Sequence, residues 1–178
     1  MLNRGFTLIE LLVTISVVSV GIVGALIAIQ QGIVAIDYAK NRLTAALLAQ
    51  EGVEILKNIR DTNLLEYSYV SASTPWNEGL SVGEYEAEYS DVMGPDPNLV
   101  QPSCSPSCGF DDSQLRFLKF SEIQGYNYSI GEDTGFKRKI NITQVGSDQY
   151  DVDVVVYWRK RGGGNYEIVL KQYLYEWW

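Results

Sequence analysis

Residues 11–29, LLVTISVVSVGIVGALIAI, pass nineteen positions without a charge or a proline. At about 1.5 Å of rise per residue, a helix of that length covers the roughly 30 Å hydrocarbon core of a bilayer. The run predicts a membrane helix, because nineteen uncharged positions are too many for the buried face of a soluble one. One residue interrupts the apolar character at its start. Glu10 stands among Leu8, Ile9, Leu11 and Leu12, where an ionised carboxylate costs on the order of 2.5–3.5 kcal/mol. An acid placed at that cost calls for a partner.

The residues around it, Arg4-Gly5-Phe6-Thr7-Leu8-Ile9-Glu10 followed by the apolar run, resemble the processing site of type IV prepilins and pseudopilins. The resemblance implies that a prepilin peptidase cuts between Gly5 and Phe6 and methylates the new amine of Phe6, and that Glu10 is the assembly carboxylate. Cleavage creates a positive amine, and Glu10 of one subunit can pair with that amine on a neighbour, so that two charges costly alone become tolerable together. The likeness is confined to the N-terminal segment. Within it, VGIVGAL resembles minor pilins and pseudopilins more than abundant major pilins. A secretory signal also has a basic start, but its apolar core is shorter, carries no acid and ends in small residues. A plain single-pass anchor would leave Glu10 without a role.

Together these readings divide the chain into a leader at 1–5, a hydrophobic transmembrane and assembly helix at 6–30, an amphipathic continuation at 31–61 and a β-rich globular domain at 62–178. The short basic start stays cytoplasmic by the positive-inside rule, which makes the chain single-pass with its C-terminal domain extracytoplasmic. Gly21 and Gly24 form a small-residue pair that permits close helix approach. Ile33, Ile36, Leu43, Leu47, Val53 and Leu56 recur near the spacing of an amphipathic helix. One long helix ending near Asp61-Thr62-Asn63 is expected; a break at 30–32 is the alternative. The first proline is Pro75, so no proline kink is expected.

All five prolines lie between Pro75 and Pro106, which predicts a loop-rich middle with one strand over 84–92. Cys104 and Cys108 are expected to form a small-loop disulfide in an extracytoplasmic domain, one that adds little to stability because the closed loop is short. The last third reads as sheet, with strands over 126–130 and 136–145, where Ile140 and Ile142 share a face. A hairpin follows: Tyr150, Val152, Val154, Val156 and Trp158 point one way and Asp151, Asp153, Tyr157 and Arg159 the other. After the Gly162–164 turn, Tyr166, Ile168, Leu170 and Leu174 return on one face. Trp177 and Trp178 are expected to pack on the domain edge. The predicted fold class is α+β, a long N-terminal helix packed on a C-terminal antiparallel sheet.

Composition removes most chemistry. The chain has no histidine, which excludes imidazole-based catalysis, and no phosphate-binding loop; an enzyme is not expected. The net charge of −8 argues against nucleic-acid binding in general. Trp158-Arg159-Lys160-Arg161 could still present a basic aromatic tip to DNA phosphates, with a solvated turn as the plainer reading. The acid pairs Asp111-Asp112 and Glu132-Asp133, and the set Asp148, Asp151 and Asp153, could hold calcium, although none has EF-hand spacing; no other cofactor is implied. From Asp61 to Asp112 there are ten acids and no Lys or Arg, while nine of the fourteen bases lie from Arg116 onward. Such halves either solvate two faces, which is preferred, or help subunits dock. The expected function is that of a structural subunit, stored in the cytoplasmic membrane and then polymerised into a type IV pilus or a secretion pseudopilus. Its expected partners are prepilin peptidase, other pilin or pseudopilin subunits, the inner-membrane assembly platform and lipid. A filament-tip adhesin, a DNA-uptake minor pilin and a membrane-anchored domain are the alternatives.

Overall fold

The computed structural model describes residues 5, 7–70, 75–88, 99–102, 108–160 and 163–176, with backbone alone for 67–70. They fall into two compact units, Met1–Asn41 and Arg42–Trp178. A helix, α1, runs over Leu8–Val70, 63 residues. It is helical through Gln30, Gln31 and Gly32, so the break considered there is absent. In the first unit every described helical residue from Leu8 to Lys40 is exposed. The hydroxyls of Thr14, Ser16 and Ser19 donate to the carbonyls of Leu11, Leu12 and Ile15 at 2.9, 2.8 and 2.7 Å. Each polar side chain in the apolar run is thereby satisfied within its own helix, as a lipid surrounding requires.

In the second unit the helix buries Ala45, Leu48, Ala49, Val53, Ile55, Leu56, Ile59 and Leu64. The stripe read from the sequence mixes two faces: Val53 and Leu56 are core, whereas Leu43 and Leu47 are 63% and 56% exposed. The expected end at 61–63 is also corrected. Asn63 is buried and donates its amide to the carbonyls of Trp76 at 3.1 Å and Glu78 at 2.8 Å. It ties the following turn onto the helix instead of stopping it, and the helix continues to Val70.

Seven strands follow among the described residues: β1 Gly83–Tyr85, β2 Lys119–Ser121, β3 Gly125–Asn127, β4 Glu132–Asp133, β5 Phe136–Gln144, β6 Gln149–Arg159 and β7 Asn165–Tyr175. They form an antiparallel sheet of order β1-β5-β6-β7 and a small one of order β3-β2-β4. The β6–β7 hairpin has the predicted faces, with Tyr150, Val152, Val154, Val156, Trp158 and Leu174 buried and Val154 opposite Leu170. Their inward side forms one core with the buried residues of 45–64.

Two strand predictions shorten. Of the strand expected over 84–92, the described part is β1 plus a bridge between Glu86 and Val100; residues 89–92 lie outside the described residues. Of 126–130, only the start is strand. Asn127 turns its Oδ1 back to accept the N–H groups of Ser129 and Ile130 at 2.9 and 2.7 Å, a side-chain turn that ends the ladder. Trp177 and Trp178 also lie outside the described residues.

Candidate processing and assembly site

The N-terminal site is built on four residues, Thr7-Leu8-Ile9-Glu10. Thr7 precedes the helix, and its Oγ1 accepts the N–H of Glu10 at 3.3 Å. Glu10 Oε2 in turn accepts from the N–H of Thr7 at 3.4 Å and from its hydroxyl at 3.3 Å. This is a capping box: two N–H groups that the first helical turn would leave unpaired are satisfied reciprocally. The negative charge also sits at the positive end of the helix dipole. Among the described residues, the hydrogen bonds of the Glu10 carboxylate are to Thr7. Its surroundings are exposed, Leu8 at 77% and Ile9 at 69%. Gly5 is exposed and a Cβ there would meet nothing within 4 Å, so the backbone at the expected cut is unobstructed by the described chain; Phe6 lies outside the described residues. The T-x-x-E spacing of Thr7 and Glu10 is the signal in the sequence for this cap, although Thr7 was assigned no role from sequence.

The other sequence candidates are dispersed. Cys108 is buried and disulfide-bonded; its N–H donates to Glu84 Oε2 at 2.8 Å and its carbonyl accepts from Lys139 Nζ at 2.8 Å. Cys104 lies outside the described residues. Arg159 and Lys160 are exposed, with their cations 5.6 Å from the ring centroids of Phe110 and Tyr166. Trp158 is 3% exposed and packs between Phe136 and Tyr166, so the indole faces the core and gives a nucleic-acid base nothing to stack on; Arg161 lies outside the described residues. Asp153 pairs with Lys171 at 3.1 Å, and Asp151 accepts from Gln149 at 2.7 Å. Among the described residues no group of three or more Asp, Glu or Cys could hold a metal ion.

The sequence did not reveal a set of interior charges. Lys137, Arg138 and Lys139, consecutive on β5, are all buried. Arg138 reaches the helix, donating to the carbonyl of Leu48 at 3.0 Å and lying 3.4 Å from Glu51, and donates also to the carbonyl of Ala87. Lys139 pairs with Glu84 at 2.9 Å. Lys137 donates to the carbonyl of Asp112 at 2.8 Å, and burial holds its pKa below the usual lysine range. Buried Glu86 accepts from both the backbone N–H and the Nε of Arg116 at 2.6 Å. Tyr128 packs under Arg116, and burial pushes its phenol up to about 12. These contacts tie β5 to the helix at Leu48, to Glu84 and to the segment at Asp112.

The profile of the prokaryotic N-terminal methylation motif matches residues 1–26. That match supports a prepilin-type, type IV pilin-like chain. Comparison with curated proteins and with solved structures gives no match. The match covers the capping box, the expected cleavage junction and most of the apolar run. It supports a pilin-like substrate of prepilin-type cleavage and methylation and indicates a structural subunit. Its apolar helix is long enough to cross a membrane.

Proposed function

We propose that this pilin-like chain is a structural subunit of a type IV pilus or of a type II secretion-like pseudopilus, on the minor-pilin or pseudopilin side of that family. It waits in the cytoplasmic membrane with its C-terminal domain outside, is cut after Gly5, and joins the filament through α1. There Glu10 pairs with the Phe6 amine of a neighbour. The observation that carries this reading is the place of Glu10, an acid at the head of an apolar helix whose described residues are exposed from Leu8 to Lys40. Among the described residues of the subunit Thr7 alone holds it. A cationic amine is a stronger partner than a neutral N–H, since it adds the Coulomb attraction of a full opposite charge to the hydrogen bond. Assembly then supplies what the isolated subunit lacks: a counter-charge for the acid and cover for the apolar face.

Mass spectrometry of the mature protein tests it. The expected chain starts at N-methylated Phe6; a chain starting at Met1, or beyond the apolar run, refutes the processing. Glu10→Ala is expected to be cut normally and to enter filaments poorly, and normal incorporation would refute the pairing.

A further inference from the structure

The helix and the β6–β7 hairpin define two ends of the second unit. Gly52 faces Val154, and the carbonyl of Leu48 accepts from Arg138, whose partner across the ladder is Val156. In the other direction Asn63 holds the carbonyl of Trp76, and the Trp76 ring stands 5.3 Å from that of Tyr150. The helix therefore passes β6 in the opposite direction. From Gly52 back to Arg42 is about 15 Å at 1.5 Å per residue, and from Val154 on to Arg159 is about 17 Å at 3.4 Å per residue. Arg42 and Arg159 thus lie level, at the end where the chain leaves this unit for Asn41 and the apolar run. Lys160 follows at the turn. All three are exposed, and among the described residues none is in an ion pair.

The hairpin is also electrically polar. Arg159 and Lys160 stand at its turn, whereas Asp148, Asp151 and Glu176 stand at its open end. Of the acids nearest the turn, Glu167 lies opposite Tyr157, two residues back from Arg159. Asp111 and Asp112 lie beside the buried cation of Lys137. Glu132 and Asp133 are on the small sheet, which adjoins β5 through Leu118 and Phe136 on the side away from β6. What the basic end meets follows from the chain that precedes it. Leu11 to Ile36 is twenty-six residues without a charge, about 39 Å of helix, close to the roughly 40–45 Å of a bilayer with its headgroups. Arg42 comes six residues later, about 9 Å, which is roughly one Debye length from the headgroup layer. A Lys or Arg at an anionic surface favours the bound state roughly fivefold, and because α1 tethers the domain there, the contact is intramolecular and needs no strong single bond. We propose that Arg42, Arg159 and Lys160 dock this end of the domain on the anionic lipid headgroups of the membrane that stores the subunit. This docking rests on the membrane-stored subunit proposed above, and release into a filament has to break it.

The test uses the full-length chain in nanodiscs of phosphatidylcholine, alone or mixed with phosphatidylglycerol, with a quencher attached to a lipid headgroup. A fluorophore is placed on Asn165→Cys beside the turn or on Ser147→Cys at the open end, with the unsubstituted protein as the thiol background. Quenching at Asn165→Cys is expected to exceed that at Ser147→Cys, to require phosphatidylglycerol and to fade as salt is raised. Arg159→Gln and Lys160→Gln are each expected to lower the ratio of docked to free domain roughly fivefold, whereas Lys171→Gln, at mid-strand, is expected to leave it unchanged. Equal quenching at the two positions, the same quenching in neutral discs, or no loss in the two turn variants would overturn the proposal. A chain that does not elute with the discs would refute membrane storage itself, and the docking with it.

Discussion

Replacing Gly52 by alanine tests the seam between the helix and the sheet. Alanine is about 1 kcal/mol better than glycine in a helix interior, so at an open position the change would stabilise. At Gly52 a Cβ would lie 2.9 Å from Val154 Cγ1 and 3.2 Å from Arg138 Cδ. Neither neighbour can yield cheaply. Val154 is fully buried in a central strand, between Ile140 and Leu170, and its branched side chain has few rotamers to choose from. Arg138 is fixed at its far end by the carbonyls of Leu48 and Ala87. Overpacking of this kind costs about 1–3 kcal/mol, which exceeds the propensity gain. Gly52→Ala is therefore expected to destabilise the domain by about 1 kcal/mol, a fall of roughly 3–6 °C in Tm. Near-UV circular dichroism of the full chain in detergent during heating reads it. In a Val154→Ala background the obstructing methyls are gone, and the same change is expected to raise Tm relative to that background. A rise in the native background would refute the argument.

Further expectations concern the interior charges and the N-terminal cap. Arg138→Ala strands the buried carbonyl of Ala87 and removes the counter-charge of Glu51, and is expected to cost about 3–5 kcal/mol in a urea titration. Tyr128 holds its phenol proton to about pH 12 when folded against 10.0 for the unperturbed group. The folded state then binds more protons than the unfolded one between those values. Its contribution, on the order of 2–3 kcal/mol, is complete below pH 10 and disappears as pH rises toward 12; Tyr128→Phe is expected to flatten that part of an alkaline stability curve. Glutamine also completes a capping box, so Glu10→Gln retains the Thr7 contacts without the charge. It is expected to fail in filament incorporation like Glu10→Ala, whereas normal incorporation would assign Glu10 to capping alone.

The parts legible from sequence are those where one periodicity acts without competition. Alternation over Tyr150 to Trp158 and Tyr166 to Leu174 fixed the faces of the β6–β7 hairpin because one side meets the core and the other does not. The apolar run and the junction at Gly5 identified the N-terminal segment through a motif that is local in the chain. Residues 42–66 were harder. Leu43 and Leu47 satisfy the same helical spacing as the core residues, yet they stay exposed, since hydrophobicity alone does not say which of two apolar stripes the sheet will cover. The end of the helix depended on Asn63 finding the carbonyls of Trp76 and Glu78, partners thirteen and fifteen residues away, beyond any local capping signal.

The segregation of charge was visible in the sequence, and the pairing of two of its acids was not. Acids gathered between Asp61 and Asp112 and bases from Arg116 onward look like two solvated faces, because long-range pairing leaves no periodic trace. In the folded domain Glu84 meets Lys139 at 2.9 Å and Glu86 meets Arg116 at 2.6 Å, so carboxylates of the first set neutralise cations of the second. Burial makes the arrangement binding. An isolated ionised group inside the domain would cost several kcal/mol, whereas a pair that also saturates backbone groups comes close to balance. Lys139 and Glu84 do this through the carbonyl and N–H of Cys108, which draws the 108–112 segment over the outer side of β5. That cover explains why a strand reading Phe-Lys-Arg-Lys-Ile has no solvated face: Arg138 is taken up by the helix, and its two neighbours by the loop. The Glu84–Lys139 and Glu86–Arg116 pairs therefore serve to close the domain on itself, and these four charges are committed before any neighbouring subunit could use them for docking.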